Sequence, residues 1–98
     1  MYYLYILLSL KDKKFYIGVT DDLRRRIKEH NLGKVKSTKN RRPLKLIYYE
    51  AYLLKSDALR REKFLKTTEG KRLLRQQIRD YINFVGGSPY HSIGCPVG

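Results

Sequence analysis

Three side chains able to bind or move charge fall on helical faces that otherwise carry apolar residues. Across residues 21–31, Leu23 and Ile27 mark a buried stripe, and at about 100° per residue Arg26 and His30 lie within about 60° of Leu23 on that side. Charge intended only for solvent would stay at Arg24, Arg25 and Lys28. Farther on, Ala58, Leu59 and Leu65 span an arc whose centre is Glu62, where an unpaired carboxylate is costly. Each residue has a structural explanation: a salt bridge from Glu62 to a neighbouring arginine, a histidine complementing a helix C-terminus, and an arginine stem covering the core. The chemical alternatives are a hard oxygen ligand for a divalent cation, a proton acceptor near neutral pH, and a planar fork suited to phosphate.

The elements that must position these residues follow from the pattern around them. Residues 2–8 and 15–20 are apolar, aromatic and β-branched runs with a charged connection, which predicts an antiparallel hairpin. A helix over 21–31 follows, with an acidic start and Gly33 at its end. The loop 33–43 carries Lys34, Lys36, Lys39, Arg41 and Arg42 with no acid to offset them, and 44–53 returns to strand character. Ser56 is placed to cap a second helix, with Asp57 in its first turn. Thr68 starts a third, in which Leu74, Ile78, Tyr81, Ile82 and Val85 recur at helical spacing until Gly86-Gly87. The expectation is an α+β fold in the order β-β-α-β-α-α, a small, mostly antiparallel three-stranded sheet with packed helices. Residues 1–85 form the expected domain, and 86–98, with two prolines and few large apolar residues, a flexible tail.

Composition narrows the function classes. A chain of 98 residues has room for one compact domain, so any function occupies one site on one small scaffold. Lysine and arginine number 22 against nine acids, and the net charge of +13 favours a polyanionic partner through counterion release. Nine tyrosines add ring faces that stack on bases, although most are expected in the sheet or core. The single cysteine, Cys95, excludes an intrachain disulfide, and His91 with Cys95 falls short of a structural zinc set. The apolar opening is too short to span a bilayer and runs into Lys11-Asp12-Lys13-Lys14, so no membrane and a cytoplasmic setting are expected.

Tyr3-Leu4-Tyr5 on the first strand and Tyr16-Ile17-Gly18 on the second resemble the two signature tripeptides of the GIY-YIG nuclease family, the first in a degenerate form. In that family an essential arginine follows on the first helix, often with a histidine one turn beyond, and Arg26 and His30 occupy those places. A metal-binding glutamate follows the third strand, and Glu62 is similar in setting. The resemblance covers roughly residues 1–79 and is closest to the small single-domain bacterial members. Many family nucleases also carry an asparagine on the last helix. The corresponding stretch here reads Arg72-Leu73-Leu74-Arg75-Gln76-Gln77, and Asn83 is too distant to replace it.

The resemblance implies a metal-dependent endonuclease that hydrolyses phosphodiester bonds, on DNA more than RNA, in a setting such as DNA repair. Tyr5 would be the general base, losing its proton to a neighbour or being depressed from about pKa 10 by positive charge, with His30 as the natural acceptor. Tyr16 would position water or a phosphate oxygen, Arg26 would stabilise the pentavalent state, and Glu62 would hold Mg²⁺ (or Mn²⁺). Lys34, Lys36, Lys39, Arg41 and Arg42 would track the backbone without reading bases, leaving specificity to a protein partner. The competing readings are a noncatalytic nucleic-acid-binding module on the same scaffold, and an RNA-binding accessory protein. Neither gives a carboxylate facing the phosphates a use.

Overall fold

A computed structural model describes residues 1–85, and readings that fall on residues 86–98, namely the tail, the Gly86-Gly87 stop and the His91/Cys95 pair, lie outside the described residues. The chain forms β1 (Tyr2–Ser9), β2 (Phe15–Thr20), α1 (Leu23–Asn31), a 3₁₀ turn (Lys39–Arg41), β3 (Leu44–Tyr52), α2 (Lys55–Leu65), α3 (Thr68–Gln77) and α4 (Arg79–Val85). The expected α+β class and three-stranded sheet are present. The strand order is β2-β1-β3, with both pairings antiparallel.

Because β1 is central, both of its faces are covered, which is why its run of large apolar residues is nearly continuous. Leu4 and Ile6 pack with Ile17, with Leu65 of α2 and with Leu74 of α3. Tyr5 and Leu7 face the other way, onto Leu44 and onto Leu23 and Ile27 of α1. The sheet is thus sandwiched between α1 and the α2–α3 pair, and alternate residues of one strand serve two cores.

A bulge in β3 fixes which of its side chains join which core. Ile6 pairs with Tyr48 and Leu7 with Leu46, so Ile47 is the extra residue and the alternation inverts there. Before the bulge Leu44 and Leu46 pack on the α1 side. After it Tyr48 and Tyr52 join the α2–α3 side, and Tyr49 takes the place opposite Tyr5.

The acidic start of α1 supplies its cap: Asp22 Oδ1 accepts from the Arg25 amide at 3.0 Å. Three sequence expectations are corrected. Ser56 lies inside α2, whose N-cap is Leu54 with no side-chain capping bond. The third helix is interrupted at Ile78 and resumes as α4, which makes the order β-β-α-β-α-α-α. Leu59 does not belong to the buried arc of α2 and is 44% exposed, whereas Ala58 and Leu65 are fully buried.

Gly33 ends α1 as expected, with φ of +80°, a left-handed conformation that costs glycine little. The loop beyond it is pinned from several sides. The Asn31 amide donates to the Leu44 carbonyl at 2.9 Å and accepts from the Leu44 amide at 2.8 Å, while Ser9 Oγ donates to the Arg41 carbonyl at 2.6 Å. Arg41 itself is paired through Nε to Asp12 of the hairpin at 2.9 Å, so the loop's charge is offset by an acid distant in sequence.

At the α2–α3 corner Thr67 caps α3 by accepting from the Gly70 amide at 3.0 Å. A Cβ on Gly70 would lie 2.0 Å from the Phe64 carbonyl oxygen, which is rigid backbone. Gly70→Ala must therefore push the two helices apart, at a cost of about 1–3 kcal/mol. A lowered midpoint in urea denaturation checks this, and an unchanged midpoint contradicts it.

Candidate active site

The site is built on the β1–β2 pair and roofed by α1. Tyr5 faces Gly18 across the strands, and a Cβ at Gly18 would lie 2.5 Å from the Tyr5 hydroxyl oxygen and 2.7 Å from the carbon bearing it. The glycine of the second tripeptide is therefore required by the close approach of the tyrosine of the first. Tyr16, two residues earlier on the same face, sits 6.3 Å from the Tyr5 ring and 5.0 Å from the His30 ring, centroid to centroid.

His30 is fully buried in the last turn of α1 and stands at the centre of a hydrogen-bond chain. The Tyr5 hydroxyl has no acceptor among the described residues other than His30 Nε2, at 2.8 Å, so it donates there. His30 Nδ1 then carries the proton and donates to Thr38 Oγ1 at 2.7 Å, and Thr38 donates on to the Val35 carbonyl at 3.5 Å. Thr38, also fully buried, is a functional neighbour that the sequence reading missed. It lies in the basic loop, where only the threonine among lysines offered a signal.

Electrostatics keep both partners neutral. Burial is the first cause that lowers His30 from 6.5 to about 4, and the charge of Arg26 adds to it. Burial likewise raises Tyr5 from 10.0 to about 12, against the opposing pull of Arg26. The expectation that positive charge depresses the phenol is thus corrected: burial outweighs the pull of Arg26. His30 is not the exposed, dipole-complementing histidine of the structural alternative. Arg26 is half-buried, pairs with Glu29 Oε1 at 3.1 Å, and is held above its ordinary value first by the adjacent Tyr5 hydroxyl.

Glu62 is 22% exposed at the side chain, and its one ion pair among the described residues is with the exposed Lys66 at 3.2 Å. Such a surface pair is weak, typically about 0.2–1 kcal/mol, and leaves carboxylate oxygens free for a cation. Its charge reaches Tyr5, where it is the last of the causes that raise the phenol. No cluster of three or more histidine, cysteine or acidic residues exists among the described residues. A single carboxylate suits Mg²⁺, which takes one or two protein carboxylates and fills its shell with water and substrate oxygens.

The arginine partner foreseen for Glu62 belongs instead to Glu50, whose side chain is 16% exposed. Glu50 accepts from Tyr48, from Tyr52 at 2.6 Å and from Arg61 at 3.1–3.3 Å, and these donors hold its carboxyl below the usual range although burial opposes them. Gln77 of α3 donates to Tyr48 at 3.0 Å, so β3, α2 and α3 share one network. The alternation Tyr48, Glu50, Tyr52 was its only trace in the sequence. Of the basic-loop residues, Lys34, Lys36, Lys39 and Arg42 are exposed and available to a polyanion, whereas Arg41 is engaged with Asp12 and the Phe15 carbonyl.

Comparison with known proteins bears on this geometry. Residues 1–76 match the family model described as the GIY-YIG catalytic domain. A UPF0213 protein of Staphylococcus haemolyticus is 43% identical over 76% of this chain and 90% of its own length. One from Haloquadratum walsbyi is 38% identical over 81% of this chain and 91% of its own. The solution NMR structure of the UPF0213 protein BH0048 from Bacillus halodurans is 36% identical, covers 93% of this chain and 92% of that one, and superposes with a TM-score of 0.48.

Two outcomes follow from the hydrogen-bond chain. Between 6.5 and about 4 the unfolded chain takes up a proton at His30 that the folded chain refuses, so stability present above pH 6.5 is lost as the pH falls toward 4. An NMR titration should place the His30 midpoint near the lower value, and a midpoint near 6.5 contradicts the burial argument. Gly18→Ala should displace the Tyr5 ring, cost about 1–3 kcal/mol, and bring phenol ionisation down from about 12 toward 10 in an ultraviolet titration.

Proposed function

The chain belongs to the GIY-YIG catalytic-domain family and, within it, to the UPF0213 proteins, and from that premise we propose that it is a metal-dependent endonuclease that hydrolyses phosphodiester bonds in DNA. The observation that carries this reading is a neutral His30 accepting from Tyr5, with Arg26 and Tyr16 on the same patch and the Glu62 carboxylate within electrostatic reach. Residues 1–85 are the catalytic unit, working in the cytoplasm. Among the described residues no helix is long and apolar enough to cross a membrane.

Hydrolysis needs a deprotonated water, stabilisation of the developing phosphoryl charge, and neutralisation of the leaving oxygen. Water gives its proton to the Tyr5 oxygen as Tyr5 passes its own to His30 Nε2, so no free phenolate is required of a group raised to about 12. The resulting imidazolium stays buried behind Tyr5, and the negative charge of a phosphate at Arg26 offsets the repulsion between the two cations. The new P–O bond forms as the bond to the leaving oxygen breaks in line; the leaving alkoxide takes a proton from solvent water, and the proton on His30 returns through Tyr5 to solvent, which restores the site. Arg26 offers its fork to the nonbridging oxygens, and Tyr16 orients the water or one of those oxygens. Glu62 would hold the divalent cation, which supplies Lewis-acid stabilisation of phosphate charge when bound. Lys34, Lys36, Lys39 and Arg42 track the backbone, and a protein partner adds specificity.

The test is cleavage of end-labelled DNA and RNA with and without Mg²⁺ or Mn²⁺, with Glu62→Ala and Arg26→Lys purified in parallel. Metal-dependent cutting, lost in Glu62→Ala and reduced at least about a hundredfold in Arg26→Lys, is the expected result. Binding without cutting under every condition would instead leave a nucleic-acid clamp on the same scaffold.

A further inference from the structure

A second cavity lies on the opposite flank of α1, with a volume of about 490 Å³ and a floor formed by Leu23, Ile27 and Leu46. Tyr3 and Tyr49 form its aromatic wall, their rings 6.0 Å apart and inclined at 65°, so they meet edge to face and are not stacked. Tyr49 remains 53% exposed although its neighbours across the sheet are core residues. The bulge at Ile47 is what puts it on this side.

The cavity shares a border with another that Arg26 of the candidate site lines. Asp21 borders both this cavity and the one lined by Arg25, Arg26 and Lys55. An apolar floor with an open aromatic face would by itself accept many ligands. Its rim decides among them: Arg25 is paired with Asp21 at 3.2 Å, Arg24, Arg26 and Lys55 bring further cations to the edge, and Asp22, whose Oδ1 caps α1, adds its other carboxylate oxygen as an acceptor. Cations at the edge with a ring face and acceptors inside match one nucleotide unit, phosphate outside and base inside.

Resting on the nuclease reading above, we infer that this cavity receives an unpaired nucleobase, stacked on Tyr49, from the strand whose phosphate lies at Arg26. A base inside a duplex is unavailable to such a pocket, since entering it means leaving the stack. The substrate class that fits is nucleic acid that is single-stranded or locally unpaired beside the scissile bond.

The probe is a short single-stranded DNA carrying 2-aminopurine, measured without divalent metal so that binding is separated from cleavage, beside the same sequence as duplex and with an abasic site at the probe position. Tyr49→Ala should lose about tenfold in affinity for the single strand, while Tyr49→Phe keeps it and duplex binding changes little. The abasic strand should bind wild type more weakly than the intact strand, with the difference gone in Tyr49→Ala. Equal single-strand affinity for wild type and Tyr49→Ala, or no binding of the single strand by wild type, overturns the inference. Cutting that persists unchanged in Tyr49→Ala sinks the base pocket and leaves the nuclease reading standing. Stacking without any cutting when metal is restored does the reverse.

Discussion

The bond from the Tyr5 hydroxyl to His30 ties the central strand to the helix that roofs it, and most of the site's features are conditions for that bond. Gly18 is a glycine because the ring needs the space. Thr38 is buried because the second nitrogen of a fully buried imidazole must also be satisfied. The loop that supplies Thr38 is pinned in turn by Ser9, Asn31 and the Asp12–Arg41 pair, so residues far from the chemistry act by holding one side chain in place. A relay of this kind works only where solvent does not compete for its hydrogen bonds.

The two cores divide the labour. The α1 side carries Tyr5, Tyr16, Arg26 and His30, whereas the α2–α3 side is mostly aliphatic and contains the Glu50 network with Tyr48 and Tyr52. That network fixes α2 through Arg61, the residue before Glu62, so the position of the Glu62 carboxylate is set from the face of the sheet opposite α1. Burial raises the tyrosine and lowers the histidine, which keeps both uncharged next to Arg26 and leaves the formal charge there on Arg26, its partner Glu29 and Glu62.

Much of this was legible because helical periodicity places Arg26, His30 and Glu62 against apolar stripes, and a charge there demands an explanation. Strand alternation located Tyr5 and Tyr16 once the tripeptides were recognised. What stayed hidden depends on contacts between distant segments. Asp12 neutralising Arg41 and Thr38 completing the histidine chain require a loop to fold back on a hairpin. The bulge at Ile47 was invisible because one extra residue in a strand leaves no compositional mark, yet it reverses the faces of Tyr48, Tyr49, Glu50 and Tyr52. Ser56 looked like a cap by residue type alone, and backbone geometry gave that place to Leu54.

The central claim is that His30 is a neutral imidazole with an unprotonated Nε2 waiting for the proton of Tyr5. Nitrogen-15 NMR of selectively labelled histidine reads this directly, because the two ring nitrogens have different shifts when protonated and when accepting. The account predicts that His30 shows a protonated Nδ1 and an accepting Nε2 throughout the neutral range, and that Tyr5→Phe moves the Nε2 resonance. A proton on Nε2, or a fully protonated ring at neutral pH, would contradict it.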